Sequence, residues 1–151
     1  MTNFVGLSAV LTGFAATIIA PSIDPINIKA EYYAKFQAEL GNSLFFQILS
    51  DFETLNSQGK SDQEIGNAML DESNGAEYVM SCRRLIFLWY SGAWATVDGD
   101  TTTSEMLSAK SYTQGLAWQV MQSHPMGDSN YRYGYWASEP ADLSGYTGNK
   151  N

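Results

Sequence analysis

Between Leu85 and Trp94 the chain reads LIFLWYSGAW, an uncharged and almost wholly apolar run. It is about half the length needed to span a bilayer, so it has to be covered by the rest of the chain or by a partner. Val79, Cys82, Ile86, Trp89, Tyr90 and Ala93 fall on one side of a helix, and Leu85, Phe87, Leu88 and Trp94 fill the other sides. The pattern predicts a long helix, started by Asn74 with Glu77, whose second half is apolar all round. Such a helix is either central or turned toward another protein.

Other helical stripes stand ready to surround it. Phe4, Leu7, Leu11, Phe14 and Ile18 recur at three and four, up to a break at Pro21 and Pro25. No Lys or Arg precedes this run, so the charged start of a signal peptide is missing and an amphipathic core helix is the expectation. Ile28, Tyr32, Phe36 and Leu40 form a second stripe, ending near Gly41-Asn42. Phe45, Ile48, Leu49, Phe52 and Leu55 form a third, stopping at Gly59. SDQE at Ser61–Glu64 is a capping box that opens a short helix with Ile65 and Met69. VDGD at Val97–Asp100 is a turn signal, and the β-branched TTTSEM after it suits a short hairpin near 96–106 or an extended arm. A last helix is expected around Tyr112–Ser123, with Tyr112, Leu116 and Val120 aligned.

From Pro125 onward the helical period is lost and Gly, Ser, Asn and Asp prevail, except in YRYGYWASEP (Tyr131–Pro140). In an extended segment Tyr131, Tyr133 and Tyr135 share one side and Trp136 lies on the other. Ordering so Gly-rich a tail is costly, and each buried ring returns only about 2–3 kcal/mol. The rings therefore need a large apolar acceptor, either this chain's body or a partner. The expected architecture is one all-α domain, a bundle of five to six helices over about 3–124 with an extended docking arm over about 125–151. A chain of 151 residues is long enough to bury its own core.

Sixteen acidic against eight basic residues give a net charge of −8, and the only paired bases are Arg83-Arg84. Such a surface repels phosphate backbones and anionic membranes. Catalytic signatures are missing too. His124, the single histidine, precedes Pro125 at a helix end, where it suits capping. One His and one Cys fall short of a zinc site with three or four N/S ligands, and Cys82 reads as a small buried hydrophobe. Asp98-Gly99-Asp100 lacks the remaining EF-hand ligands, and Asp71-Glu72 point apart. No GxGxxG or GxxxxGK[ST] phosphate cradle is present. The residues predict no catalytic, cofactor-binding or metal-binding group in this chain.

Taken in order, LSAVLTGF, IFLWYSGAW, YTQGLAWQV, HPMG and GYWASEP resemble the small subunit of bacterial membrane-bound, FAD-dependent sugar and polyol dehydrogenases, the group that includes fructose, sorbitol and glucoside dehydrogenases. The likeness runs from about Asn3 to Pro140, and Trp-Tyr-x-Gly followed by Gly-Tyr-Trp-Ala-x-x-Pro is its most specific part. It implies a hetero-oligomer. A large subunit of the glucose–methanol–choline oxidoreductase type holds FAD and oxidises the sugar, and a c-type cytochrome subunit carrying haem c usually passes the electrons on. The small subunit holds no redox cofactor and serves maturation, stability or export of the large one. Trp89, Tyr90, Gly92, Tyr112, Trp118, Gly134, Tyr135, Trp136 and Pro140 match the family elements as core and contact residues. With Trp94, Tyr131 and Tyr133, the aromatic members and Pro140 form the expected partner interface. The resemblance implies a periplasmic complex. The family's twin-arginine export signal is not present at the start of the sequence, which leaves a removed signal, export through the partner or a cytoplasmic complex. Two rival readings are a carbohydrate-binding module, stacking Tyr133, Tyr135 and Trp136 on sugar faces, and a small hydrolase using acidic residues.

Overall fold

A computed structural model describes residues 1–125, Ala137 and 143–147. Its helices are α1 (Thr2–Thr12), α2 (Ala16–Ile19), α3 (Ile28–Ser57), α4 (Asp62–Met69), α5 (Ala76–Ser91), α6 (Ala109–Thr113) and α7 (Leu116–Val120). Between α5 and α6 stands an antiparallel hairpin, β1 (Ala93–Asp98) with β2 (Thr101–Met106). The fold is mostly helical rather than all-α.

The core lies where α1, α3 and α5 meet. Phe4 of α1 packs edge-on against Tyr33 and tilted against Phe36, both of α3, and also meets Trp89 of α5. Trp89 in turn receives Tyr32 edge-on at 4.7 Å. Such ring pairs contribute about 0.5–1.5 kcal/mol each beyond the area they bury. Leu85 and Leu88 are fully buried beside them, so α5 does sit centrally in the chain's own body. The second and third stripes form the two helical halves of α3, which meet at a kink where Gly41 leaves the helical conformation (φ 68, ψ 168). That glycine-only conformation is where the sequence placed the break.

The first stripe is shorter than its periodicity suggested. Gly13 takes the left-handed conformation and caps α1, so Phe14 and Ile18 leave the helix. Phe14 is still buried, edge-on against Tyr90, and pairs with Thr147 in an isolated β-bridge. The Ala15 amide donates to the Tyr146 carbonyl at 2.8 Å, and Tyr146 packs against the core. Residues 143–147, expected in a docking arm, thus return to the α1–α2 corner. The capping box at Ser61 forms as read, with the Ser61 amide donating to Glu64 Oε2 at 2.9 Å and the Glu64 amide reaching Ser61 Oγ. The start of α5 differs. Gly75 precedes it, Asp71 accepts from the Ser73 amide in a separate turn, and Asn74 donates to the Ala68 carbonyl instead of capping.

The end of α5 departs most from expectation. The apolar run passes through Gly92, but the helix does not. Gly92 adopts φ 73, ψ 11, and its amide closes on the Leu88 carbonyl at 2.8 Å. Ala93 and Trp94 therefore belong to β1. A Cβ on Gly92 would stand 2.1 Å from the Ser111 carbonyl oxygen, so α6 can seat only because position 92 has no side chain. The expected helix over Tyr112–Ser123 is two short ones, split at Gly115, which sits under the Tyr90 carbonyl. Ser108 and Ser111 form a capping box that starts α6.

Gly13 and Gly92 form a matched pair: both are left-handed helix caps, and only Gly92 is crowded. Gly13→Ala is expected to cost about 1–2 kcal/mol, the left-handed strain alone. Gly92→Ala should cost at least about 2 kcal/mol more, since backbone must move. Urea unfolding of both variants checks this, and equal costs would contradict the close approach.

Candidate partner-binding surface

The aromatic residues proposed for contact separate by burial. Trp89 and Trp94, expected among the core and contact residues, are 2% and 3% exposed and so stand in the core of this chain. They fill this chain's core because α5 and β1 turn them inward. The Trp94 ring lies against Phe36 and has the Lys35 ammonium at 5.8 Å and the Arg84 guanidinium at 6.0 Å. Each such cation–ring contact is worth about 0.5–1 kcal/mol where solvent reaches it. Tyr90 is half-buried, and its hydroxyl donates to the Thr12 carbonyl at 2.9 Å, tying α5 to the end of α1.

Tyr112 and Trp118 do reach the surface in part. Their rings meet edge-on at 5.3 Å, and Trp118 Nε1 donates to the Tyr112 carbonyl at 2.7 Å. This pair bridges α6 and α7, and α7 packs on α5. The exposed Val120 and Met121 extend the apolar surface from the end of α7. Tyr131, Tyr133, Tyr135, Trp136 and Pro140 lie outside the described residues.

A second apolar surface escaped the periodicity reading. Phe46 is 55% exposed beside its buried neighbour Phe45. With Met1, Tyr33 and Leu49 it borders a shallow groove between the start of α1 and the second half of α3. The doublet Phe45-Phe46 carried the signal, because consecutive helix residues point about 100° apart and one ring had to face outward.

Titratable groups with shifted behaviour are structural. The Lys29 ammonium bonded to Asp24 holds that carboxyl below its ordinary value. Hydrogen bonds from Ser61 and from Ser73 do the same for Glu64 and Asp71. Glu72 pairs with Arg83 at 2.8 Å, so Asp71 and Glu72 have separate local partners. His124 Nδ1 lies 2.9 Å from the Pro125 carbonyl oxygen, beyond the end of α7. Among the described residues no three His, Cys, Asp or Glu side chains converge on a possible metal position. Nor is any described helix long and apolar enough to cross a membrane.

No protein-family model matches the chain, and neither a curated protein nor a solved structure matches it. The likeness to dehydrogenase small subunits therefore stands on the quoted motifs.

Cys82 is fully buried, and burial pushes its thiol from 9.0 up to about 12. The folded state then holds a proton that the unfolded chain releases above pH 9. Stability from this group is complete below that pH and falls as pH rises, by up to about 1.4 kcal/mol per unit. Unfolding titrations between pH 8 and 10 should show the decline, and Cys82→Ala should flatten it. A wild-type curve that stays flat through pH 10 would contradict the buried thiol.

Proposed function

We propose that this chain is a non-catalytic accessory subunit that binds and stabilises a larger FAD-containing dehydrogenase acting on sugar or polyol CH–OH groups. FAD belongs to the large subunit, and haem c, where present, to a third. The observation that carries the reading is the ordered set of motifs that resemble those of such small subunits. Its support in the fold is that two of those motifs meet: the Gly92 end of IFLWYSGAW receives the Ser111 carbonyl, next to YTQGLAWQV, and Gly115 of that second block packs under Tyr90. The contact surface in this proposal comprises Tyr112 and Trp118, with Tyr90 at its margin. Tyr131, Tyr133, Tyr135, Trp136 and Pro140 join it from sequence. The complex is assigned to the periplasm, held at the membrane through its other subunits.

Native purification with mass spectrometry and an absorption spectrum tests the assignment. The expected result is co-purification with a larger, flavin-bearing chain that becomes insoluble or flavin-poor when this subunit is withheld. Trp118→Ala should weaken the complex about tenfold or more, as interface tryptophans commonly do, while the isolated chain keeps its helical signal. A flavoprotein equally stable, flavin-loaded and active alone would contradict the proposal. Calorimetric binding of sugars by the isolated chain would favour the carbohydrate-binding reading instead.

A further inference from the structure

The hairpin reaches away from the body. β1 is buried only through Ala95, and every residue from Thr96 to Met106 is exposed. A two-stranded hairpin is marginal in water without further packing, so this ribbon gains from a third strand more than a sheet interior would.

Its register determines which groups are free. Asp98 pairs with Thr101 across a two-residue turn, and the ladder continues without a bulge to Ala93 with Met106. The pairs at Asp98/Thr101, Thr96/Thr103 and Trp94/Glu105 then exchange the ladder hydrogen bonds. The Leu107 amide bonded to the Gly92 carbonyl at 3.2 Å continues that alternation. The main-chain N–H and C=O groups of Thr102 and Ser104 consequently point outward from β2, and among the described residues no other strand pairs with that edge. Lys, Pro and bulges, which commonly protect exposed edges, are missing from it. Val97 and Met106, 39% and 43% exposed, lie on the same face as Thr102 and Ser104. The ribbon carries Asp98, Asp100 and Glu105, and no base occurs between Arg84 and Lys110.

We propose that the β2 edge is a docking strand for an extended segment of a partner protein bearing Lys or Arg, added as a third strand. Outward main-chain groups supply affinity in such pairing, and flanking side chains supply selectivity. The three carboxylates select a basic segment. They also disfavour a second copy of this chain, which would double the negative charge along the shared edge. The inference holds whatever the partner's cofactor.

The test uses the full chain, labelled with nitrogen-15, and the capped peptide Lys-Val-Thr-Val-Thr-Val-Lys, beside the same peptide with Glu for both Lys. The expected result is hydrogen-exchange protection of the Thr102 and Ser104 amides by the Lys peptide. Binding should be on the order of tenfold weaker for the Glu peptide and should weaken from low to high salt. Ser104→Pro removes an outward donor but keeps those of the ladder, so it should abolish protection at Thr102 while the Thr103 amide keeps its exchange rate. Asp100→Lys with Glu105→Lys, a variant that leaves the edge amides in place, should reverse the peptide preference. No protection at Thr102 and Ser104, or protection unaffected by Ser104→Pro, would overturn the proposal. So would self-association of the free chain that Ser104→Pro abolishes, which would assign the edge to a second copy.

Discussion

The Ser111 carbonyl occupies the space that any side chain on Gly92 would need, and four elements depend on that contact. It lets α5 stop beneath α6, and the stop sends Ala93 and Trp94 into β1 rather than around another helical turn. The same carbonyl accepts the Tyr32 hydroxyl at 3.3 Å, which links α3 to the junction. Ser111 also completes the cap that starts α6. One backbone group thus fixes where the central helix ends and where the hairpin leaves.

Around this junction, stability is unevenly distributed. The interlocked rings of Phe4, Tyr32, Phe36 and Trp89 lie deep in the core, whereas the far half of the hairpin buries almost nothing. Segments with few buried apolar contacts open first, and those at the centre open only with the whole domain. Under the accessory role proposed above, the rigid body would position the Tyr112–Trp118 surface, and the under-packed ribbon would gain order on pairing with a partner strand. Trp94 joins the two regimes, since it is a hairpin residue anchored between Phe36, Lys35 and Arg84.

Signals contained within a few residues were legible in the sequence. Ser61 and Glu64 cap each other over three positions, and Gly41 breaks its stripe where the backbone turns. The all-round apolar half of α5 left two places open, central or turned toward a partner, and the burial of Leu85, Leu88 and Trp89 decides for the first. The ends of α5 were less legible, because apolar character does not distinguish the last helical turn from a buried strand start. Tyr90, Ala93 and Trp94 are equally apolar in either role, and only the approach of Ser111, distant in sequence, decides between them. The start at Gly75 rather than Asn74 goes with the Asn74 side chain, which donates to the Ala68 carbonyl instead of capping the helix. For the candidate surface, burial separated Trp89 and Trp94 from Tyr112 and Trp118, a distinction that side-chain chemistry alone does not carry.

The central claim is that α5 and its Gly92 terminus organise the whole domain. Native-state hydrogen exchange tests it most directly. The account predicts that the amides from Cys82 to Trp89 exchange only through global unfolding, together with the core turns of α1 and α3, while those at Thr102 and Ser104 exchange orders of magnitude faster. Exchange of the α5 amides through a local opening that leaves α1 and α3 protected would contradict it.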